Sequence, residues 1–357
     1  MNDITVKELY QIDHPVVIDI RAPIEFETGA IPGAINVPLF TNEERQEIGT
    51  IYKQVGQDQA KWRAMEIVSP KIPFLLQSIK DAAGAGEAHV HPIVHCWRGG
   101  MRSKAVVTFL DFAGIHAKRL SGGYKAYRQF ILEEIPNLIP EMAVVIHGLT
   151  GVGKTEILKI LEHRGYPVLD LEGMARHRGS IFGGVGLGNG HNQKQFDSLL
   201  FQKAKEISGT AYFLMEAESK RIGKVTLPDE LMEKKMNGIN FHVHMPIEQR
   251  VSHIAKEYIV PYEQEPWYFD VIKESLEKVF RRLKDVDIKK ELEENLERRQ
   301  YKEMIQALLE GYYDPMYDYK RQEYSGEFFD IYAENPLDAA NQIAAQMEKL
   351  SLMPQFV

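Results

Sequence analysis

Short apolar runs closed by turn residues alternate along this chain with stretches whose apolar positions recur every three or four residues, the mixture expected of an α/β protein. Residues 16–19, β-branched and ending in an acid, and 91–95, soon followed by a glycine pair, read as buried strands, with mostly helical spacing between them. Residues 103–112 continue as a helix and 115–120 as a further strand before Ser121-Gly122-Gly123, which makes strand, loop, helix, strand. The stretch 135–140 places two prolines ahead of a new apolar run, so a domain boundary is expected there. Beyond it, residues 142–146, 167–170, 211–215 and 239–244 read as strands separated by helices, a parallel-sheet pattern. From about 267 to 309, Glu and Lys/Arg stand three or four apart, the spacing of solvated helices and here of a helical appendage. The expected architecture is α/β in three segments: a first domain over 1–138, a parallel-sheet domain over 139–265, and a mainly helical extension over 266–357 associated with the second.

Composition narrows the class. A chain of 357 residues exceeds what one core usually organises, and 44% hydrophobic with 26% charged residues excludes collagen and wholesale disorder. No apolar run approaches the roughly 20 residues of a bilayer helix, and the first ten residues lack a signal-peptide form, so no membrane and a cytoplasmic location are expected. The net charge of −8 argues against coating nucleic acid by bulk electrostatics but leaves room for a local basic groove. The one cysteine, Cys96, cannot pair within the chain, so its importance would be that of a thiol.

Cys96 opens the most distinctive segment of the first domain, His95-Cys96-Trp97-Arg98-Gly99-Gly100-Met101-Arg102-Ser103, placed between a strand and a helix. In such a loop, successive backbone N–H groups and the helix N-terminus converge on an anion and depress the thiol pKa. Arg98 and Arg102 add forked donors for phosphate-like oxygens, and Gly99 and Gly100 let the backbone approach the ligand. Cys96 is therefore expected to be the catalytic thiol, against the alternative of a small buried apolar residue. Trp97 either packs the loop or stacks on a base.

The second motif, Gly148-Leu-Thr-Gly151-Val-Gly153-Lys154-Thr155, matches a P-loop with the correct strand before it and helix after it. Its N–H groups would wrap a diphosphate, Lys154 would neutralise it, and the Thr155 hydroxyl is a candidate Mg²⁺ ligand. Acids at following strand ends, Asp170 with Glu172 and Glu216 with Glu218, could orient Mg²⁺ through water. Arg176, His177 and Arg178, ahead of the glycine-rich stretch 182–190, form with Lys220 and Arg221 a basic surface that would contact RNA or substrate, or is an ordinary solvated face. Lys118, Arg119, Lys125 and Arg128 form a second such cluster. Tyr312, Tyr313, Tyr317, Tyr319, Lys320 and Arg321 mix aromatics with base, for stacking RNA bases or for packing a helix end.

The segment Asp19-Ile-Arg21-Ala-Pro-Ile-Glu25-Phe26, continuing to Gly29, Gly33 and Pro38, resembles the N-terminal signature of rhodanese domains; physically, Asp19, Arg21 and Glu25 read as braces. Five residues separate Cys96 from Arg102, which also fits cysteine phosphatases. A rhodanese-like domain ahead of a P-loop NTPase-like domain resembles the tRNA 2-selenouridine synthase family over nearly the whole chain, including Ser121-Gly-Gly-Tyr-Lys-Ala-Tyr-Arg128, Asp170 to Ser180 and Glu216 to Gly223. The resemblance implies conversion of wobble 2-thiouridine in tRNA to 2-selenouridine with selenophosphate, through an S-geranylated intermediate made from geranyl diphosphate. It gives the P-loop a non-nucleotide diphosphate and the Cys96 loop, from Trp97 to Ser103, the selenophosphate oxygens. Cys96 would carry selenium or assist thiol departure. No tightly bound cofactor is expected, with Mg²⁺ as an optional companion. The rivals are a cysteine phosphatase joined to a P-loop NTPase or kinase, and a nucleotide-gated RNA-binding module.

Overall fold

The computed structural model describes residues 2–84, 91–316 and 324–356. The chain divides into two compact units, Met1–Glu134 together with Asp197–Leu199, and the remainder. The divide falls within a helix, Gly123–Leu138, that continues through Pro136.

In the first unit, five short parallel strands, β1 (Asn2–Ile4), β2 (Val17–Asp19), β3 (Ile35–Asn36), β4 (Ile93–His95) and β5 (Lys118–Leu120), lie in the order β1-β5-β4-β2-β3. Strands β2, β4 and β5 are those expected from the sequence. β1 and β3 were not expected, because two or three residues carry no period to read. Ile18 pairs with Ile35 on one side and Val94 on the other, which fixes the register of the buried centre. Between β3 and β4 run the helices Asn42–Gln54, Gln57–Val68 and Ile72–Ala82, the first opened by a capping box of Thr41 and Glu44. Their Val68, Leu75 and Ile79 join Ile18, Val94, Val106 and Leu110 in one core. From β2 the chain steps outward to β3 and then returns to β4 on the other side. The C-terminal ends of β2 and β4 therefore diverge, which is where parallel sheets hold ligands.

A buried ion pair braces that crevice. Arg21 Nε donates to both carboxylate oxygens of Asp19 at 3.0 and 2.9 Å, and Nη2 donates to Oδ2 at 2.6 Å and to the Gly29 carbonyl at 2.7 Å. The guanidinium also lies 4.0 Å from the Tyr124 ring centre, with Asp19 and Arg21 at most 1% exposed.

The second sheet, also all parallel, has the order β12-β11-β6-β8-β7, with β6 (Met142–Gly148), β7 (Val168–Leu169), β8 (Tyr212–Glu216), β11 (Ile239–His244) and β12 (Phe328–Tyr332). A small antiparallel hairpin, β9 (Arg221–Ile222) and β10 (Val225–Thr226), stands apart from it. Every residue of β8 is buried, as expected of a strand covered on both faces. The helices Lys154–His163 and Pro336–Lys349 pack into one core with the sheet through Ile157, Leu158, Leu161, Ala340, Ile343 and Met347.

The region 266–357 departs from the expected appendage in two ways. First, it supplies β12, the edge strand beside β11, a run of five residues with an acid at its centre. Second, its helices Tyr268–Phe280, Val286–Glu297 and Tyr301–Leu308 are solvated on one side only: Ile272, Leu276, Leu292, Met304 and Ile305 form a second core with Val251, Ala255 and Ile259. The charge spacing marked the outer face of these helices and hid the inner one. No helix among the described residues is long and apolar enough to cross a membrane.

Replacing Arg21 with Ala strands the Asp19 charge in the core, so urea unfolding should show the N-terminal unit destabilised by about 3 to 5 kcal/mol. Arg21→Lys should not restore it, because an ammonium lacks the planar fork that meets both carboxylate oxygens. Wild-type unfolding in either variant would refute the brace.

Candidate functional site

Two loops leave the C-terminal edges of these sheets. The first follows β4. Cys96 is 3% exposed and belongs to the apolar core, yet its Sγ lies 3.4 Å from the Ser103 hydroxyl at the first turn of the helix Met101–Phe112. Burial pushes the thiol up, but the Ser103 hydroxyl and N–H, the Arg102 charge and the Gly100 N–H together outweigh it, and the net shift is downward. Ser103 Oγ also donates to the Gly100 carbonyl at 3.2 Å, and in its contact with Cys96 either atom can be the donor. Arg102 Nη1 donates to Glu25 at 3.1 Å, and Arg45 flanks the same carboxylate at 3.4 Å. Glu25 thus braces the loop arginine. Arg98, Gly100 and Met101 are exposed at the mouth, while Trp97 is half-buried with its ring 5.6 Å from that of Tyr124. His95 is wholly buried 3.7 Å from Asp19, and desolvation holds its pKa down at about 4, so it is neutral.

The sequence reading missed what holds this loop. Gly99 has φ +61°, and a Cβ there would stand 2.7 Å from the Leu120 carbonyl and 2.8 Å from Gly122 N. Tyr124 N and Lys125 N donate to the carbonyls of Cys96 and Trp97 at 3.0 and 2.9 Å, and Arg119 donates to that of Gly99 at 3.0 Å. The Ser121-Gly122-Gly123 turn is therefore a buttress for the thiol loop, and Arg119 and Lys125, read from the sequence as a basic surface, contribute to it.

The second loop follows β6 and begins the helix Lys154–His163. Gly153, its N-cap at φ +75°, leaves no room for a Cβ, which would meet Pro336 at 2.7 Å. Lys154 Nζ donates to the Gly148 carbonyl at 3.1 Å, and Thr155 Oγ1 to Glu172 Oε2 at 2.8 Å. Buried Arg250, which no motif marks, donates to the Thr150 carbonyl at 2.8 Å while its other nitrogens grip Asp314 at 2.9 and 2.6 Å.

The four strand-end acids divide by role. Asp170 caps the short helix Leu171–Ala175 by accepting from Gly173 N at 2.7 Å, and buried Glu216 accepts from Leu171 N at 3.3 Å. Glu172 and Glu218 instead line the P-loop cavity and both press on Gly179, where a Cβ would meet each at 2.8 Å. Burial first, then the Glu218 charge, pushes the Glu172 carboxyl up to about 8. Burial also raises Glu216 well above the carboxylate range. Thr155, Glu172 and Glu218 are thus oxygen donors short of positive charge, a set that fits a hard divalent cation.

The cavity, about 570 Å³, is lined by the phosphate loop and, among other residues, by Ile181, Tyr258, Tyr312, Tyr313, Met316 and Phe328. Of the five basic candidates, it takes in only Arg178, which donates to the Val185 carbonyl at 2.9 Å and lies over the Tyr258 ring. Arg176 and Arg221 are exposed, Lys220 pairs with Asp229, and His177 is wedged against Gly183 and Gly223. Tyr312 and Tyr313 are buried in this wall, whereas Tyr317, Tyr319, Lys320 and Arg321 lie outside the described residues.

The family comparisons agree with this layout. The model of the tRNA 2-selenouridine synthase AAA domain matches residues 141–349, and that of the rhodanese-like domain matches 5–130. A tRNA 2-selenouridine synthase from Bordetella petrii is 36% identical over 346 residues, spanning 89% of this chain and 90% of the relative. One from Pseudomonas fluorescens is 34% identical over 349 residues, spanning 90% and 94%. Fold and motifs define a rhodanese-like domain fused to a P-loop domain, a two-domain α/β enzyme. The chain belongs to the tRNA 2-selenouridine synthase family, and its class is that of transferases that modify tRNA.

Iodoacetamide alkylation of Cys96 followed against pH should give a midpoint below that of an ordinary cysteine thiol, because the lowered pKa keeps the reactive thiolate present at lower pH. Ser103→Ala should move that midpoint upward. An unmoved midpoint would show that Ser103 does not set the thiolate.

Proposed function

We propose that this enzyme acts on wobble 2-thiouridine of tRNA in the cytoplasm, first geranylating the sulfur with geranyl diphosphate and then replacing it by selenium from selenophosphate. The observation that carries the reading is the composition of the P-loop cavity: a diphosphate cradle continuous with a wall of aromatic and aliphatic side chains, which suits an allylic chain on a diphosphate.

In the first step the thiouridine sulfur attacks the allylic carbon, an S–C bond forms, and the C–O bond to diphosphate breaks. Backbone N–H groups of the loop and Lys154 take up the charge that develops on the departing diphosphate. A Mg²⁺ ion held by Thr155, Glu172 and Glu218 would supply further charge neutralisation. In the second step the selenium of selenophosphate attacks the carbon bearing the geranylated sulfur, and geranylthiolate departs. Water then cleaves the Se–P bond, releasing phosphate and leaving selenouridine. The Cys96 loop, with Arg98 and Arg102, holds the phosphate oxygens. Selenophosphate carries selenium at the selenide level, so loading it on Cys96 as a perselenide would require an oxidant. We therefore favour the other role: the Cys96 thiol, more acidic than an ordinary thiol, protonates the departing geranylthiolate and is reprotonated from solvent.

Nucleoside mass spectrometry of 2-thiouridine tRNA tests the scheme. Geranyl diphosphate alone should yield geranylated base and added selenophosphate should yield selenouridine. Lys154→Ala should lose both products and Cys96→Ser the second. Unchanged RNA with active substrates would refute it and direct attention to phosphatase turnover.

The acid pair adds a pH signature. Because Glu172 is raised to about 8 in the folded state, its contribution to stability is full below the ordinary carboxylate range and falls as pH rises through that value. Mg²⁺ would bind Glu172 in its ionised form, so it should raise the melting temperature more at about pH 8.5 than at about pH 6.5. Glu172→Gln should abolish the difference; equal Mg²⁺ effects at both pH values in the wild type would refute the assignment.

A further inference from the structure

The sheet of the second unit carries a histidine-rich face that the proposed chemistry does not use. Alternation along β11 puts His242 and His244 on the same side, and the register sets His242 opposite His147 of β6 and Asp330 of β12. His244 Nε2 lies 2.8 Å from Asp330 Oδ1. The His242 and His244 rings are parallel within 3° at 4.5 Å, and Tyr332 stacks on the far side of His244 at 4.6 Å. One ligand atom from each of His242, His244 and Asp330 falls within 4.8 Å of the other two.

We propose that His242, His244 and Asp330 bind a divalent transition-metal ion, of the zinc type. Two imidazoles and one carboxylate form a nitrogen–oxygen donor set that suits Zn²⁺ and its neighbours, whereas Mg²⁺ prefers oxygen alone. Three protein ligands leave at least one position open, and the site is reachable, with the His244 and Asp330 side chains 37% and 34% exposed. The donors stand on adjacent hydrogen-bonded strands, so only side-chain torsions need adjust to close the triangle around an ion. The Asp330–His244 contact and the flanking rings already restrict those torsions. His242 also lines the P-loop cavity, so the ion would fix one of that cavity's walls. This site uses none of the Thr155, Glu172 and Glu218 oxygens, although His242 lines the same cavity, and it does not depend on the geranylation scheme.

The test is titration of the full-length chain with ZnCl₂ by calorimetry and with CoCl₂ by visible absorption, in excess Mg²⁺ to fill hard oxygen sites. One equivalent should bind, with d–d bands of a nitrogen- and oxygen-ligated Co²⁺. His242→Gln, His244→Gln and Asp330→Asn should each weaken binding about tenfold or more, as loss of one of three ligands requires, while His163→Gln should not. For a readout that needs no variant, Co²⁺ should broaden the ring signals of His242 and His244 in the wild-type NMR spectrum. Failure to bind, affinity unchanged across the three variants, broadening confined to other histidines, or a thiolate charge-transfer band from Cys96 would each overturn the proposal.

Discussion

Both working loops answer to one constraint: a parallel sheet covered on two faces can present chemistry only at its edge, where strands end and helices begin. Backbone N–H groups left unpaired at those helix starts point outward together, and a chain that turns sharply there keeps them aimed at one spot. In each sheet the strand carrying the loop stands where the chain reverses its direction of travel across the sheet, so the crevice is produced by the topology itself. What remains for the sequence is to keep each turn rigid. In the first unit this falls to the Asp19–Arg21 pair beneath and the Ser121-Gly122-Gly123 turn alongside. In the second it falls to Arg250, which ties the phosphate loop to Asp314.

The two sites use burial in opposite senses. Around Cys96 the desolvation that would keep sulfur neutral is overcome by donors from Ser103 and Gly100 and by the charge of Arg102, so a buried group is held ready to ionise. Beside the phosphate loop, desolvation and mutual repulsion both act to keep Glu172 protonated, with only the Lys154 charge and the Thr155 hydroxyl opposing them. One site is prepared for an anion, and the other for a cation that accompanies an anion. That pairing suits the proposed reaction, in which both co-substrates of the tRNA are phosphorylated.

The two candidate loops were legible because each is local. Cys96 to Ser103 and Gly148 to Thr155 are contiguous, and strand and helix signals flank each of them correctly. The supports were not legible, since they arise from contacts between distant segments. Gly179 gives no sign in sequence that it separates Glu172 from Glu218, nor Arg250 that it reaches Thr150. β12 was hidden because Asp330 interrupts an otherwise apolar strand, and that same residue pairs with a histidine of the neighbouring strand. Of the two readings of Tyr312 and Tyr313, RNA stacking or helix packing, the structure bears out the packing: both are buried with Tyr301 and Leu308 at a helix end, and both also line the cavity.

The burial of Cys96 together with its solitude has a chemical consequence for oxidative stress. A thiolate-prone sulfur is the first rung of an oxidation ladder, and most sensor cysteines leave that ladder by forming a disulfide with a second cysteine close by. This chain has no second cysteine. A sulfenic acid formed on Cys96 must therefore wait for a small thiol to enter from outside, and the closely packed loop that admits a peroxide also restricts that reductant. Redox damage at this position would persist for longer than at a dithiol site, which makes the low accessibility of the sulfur a protective feature.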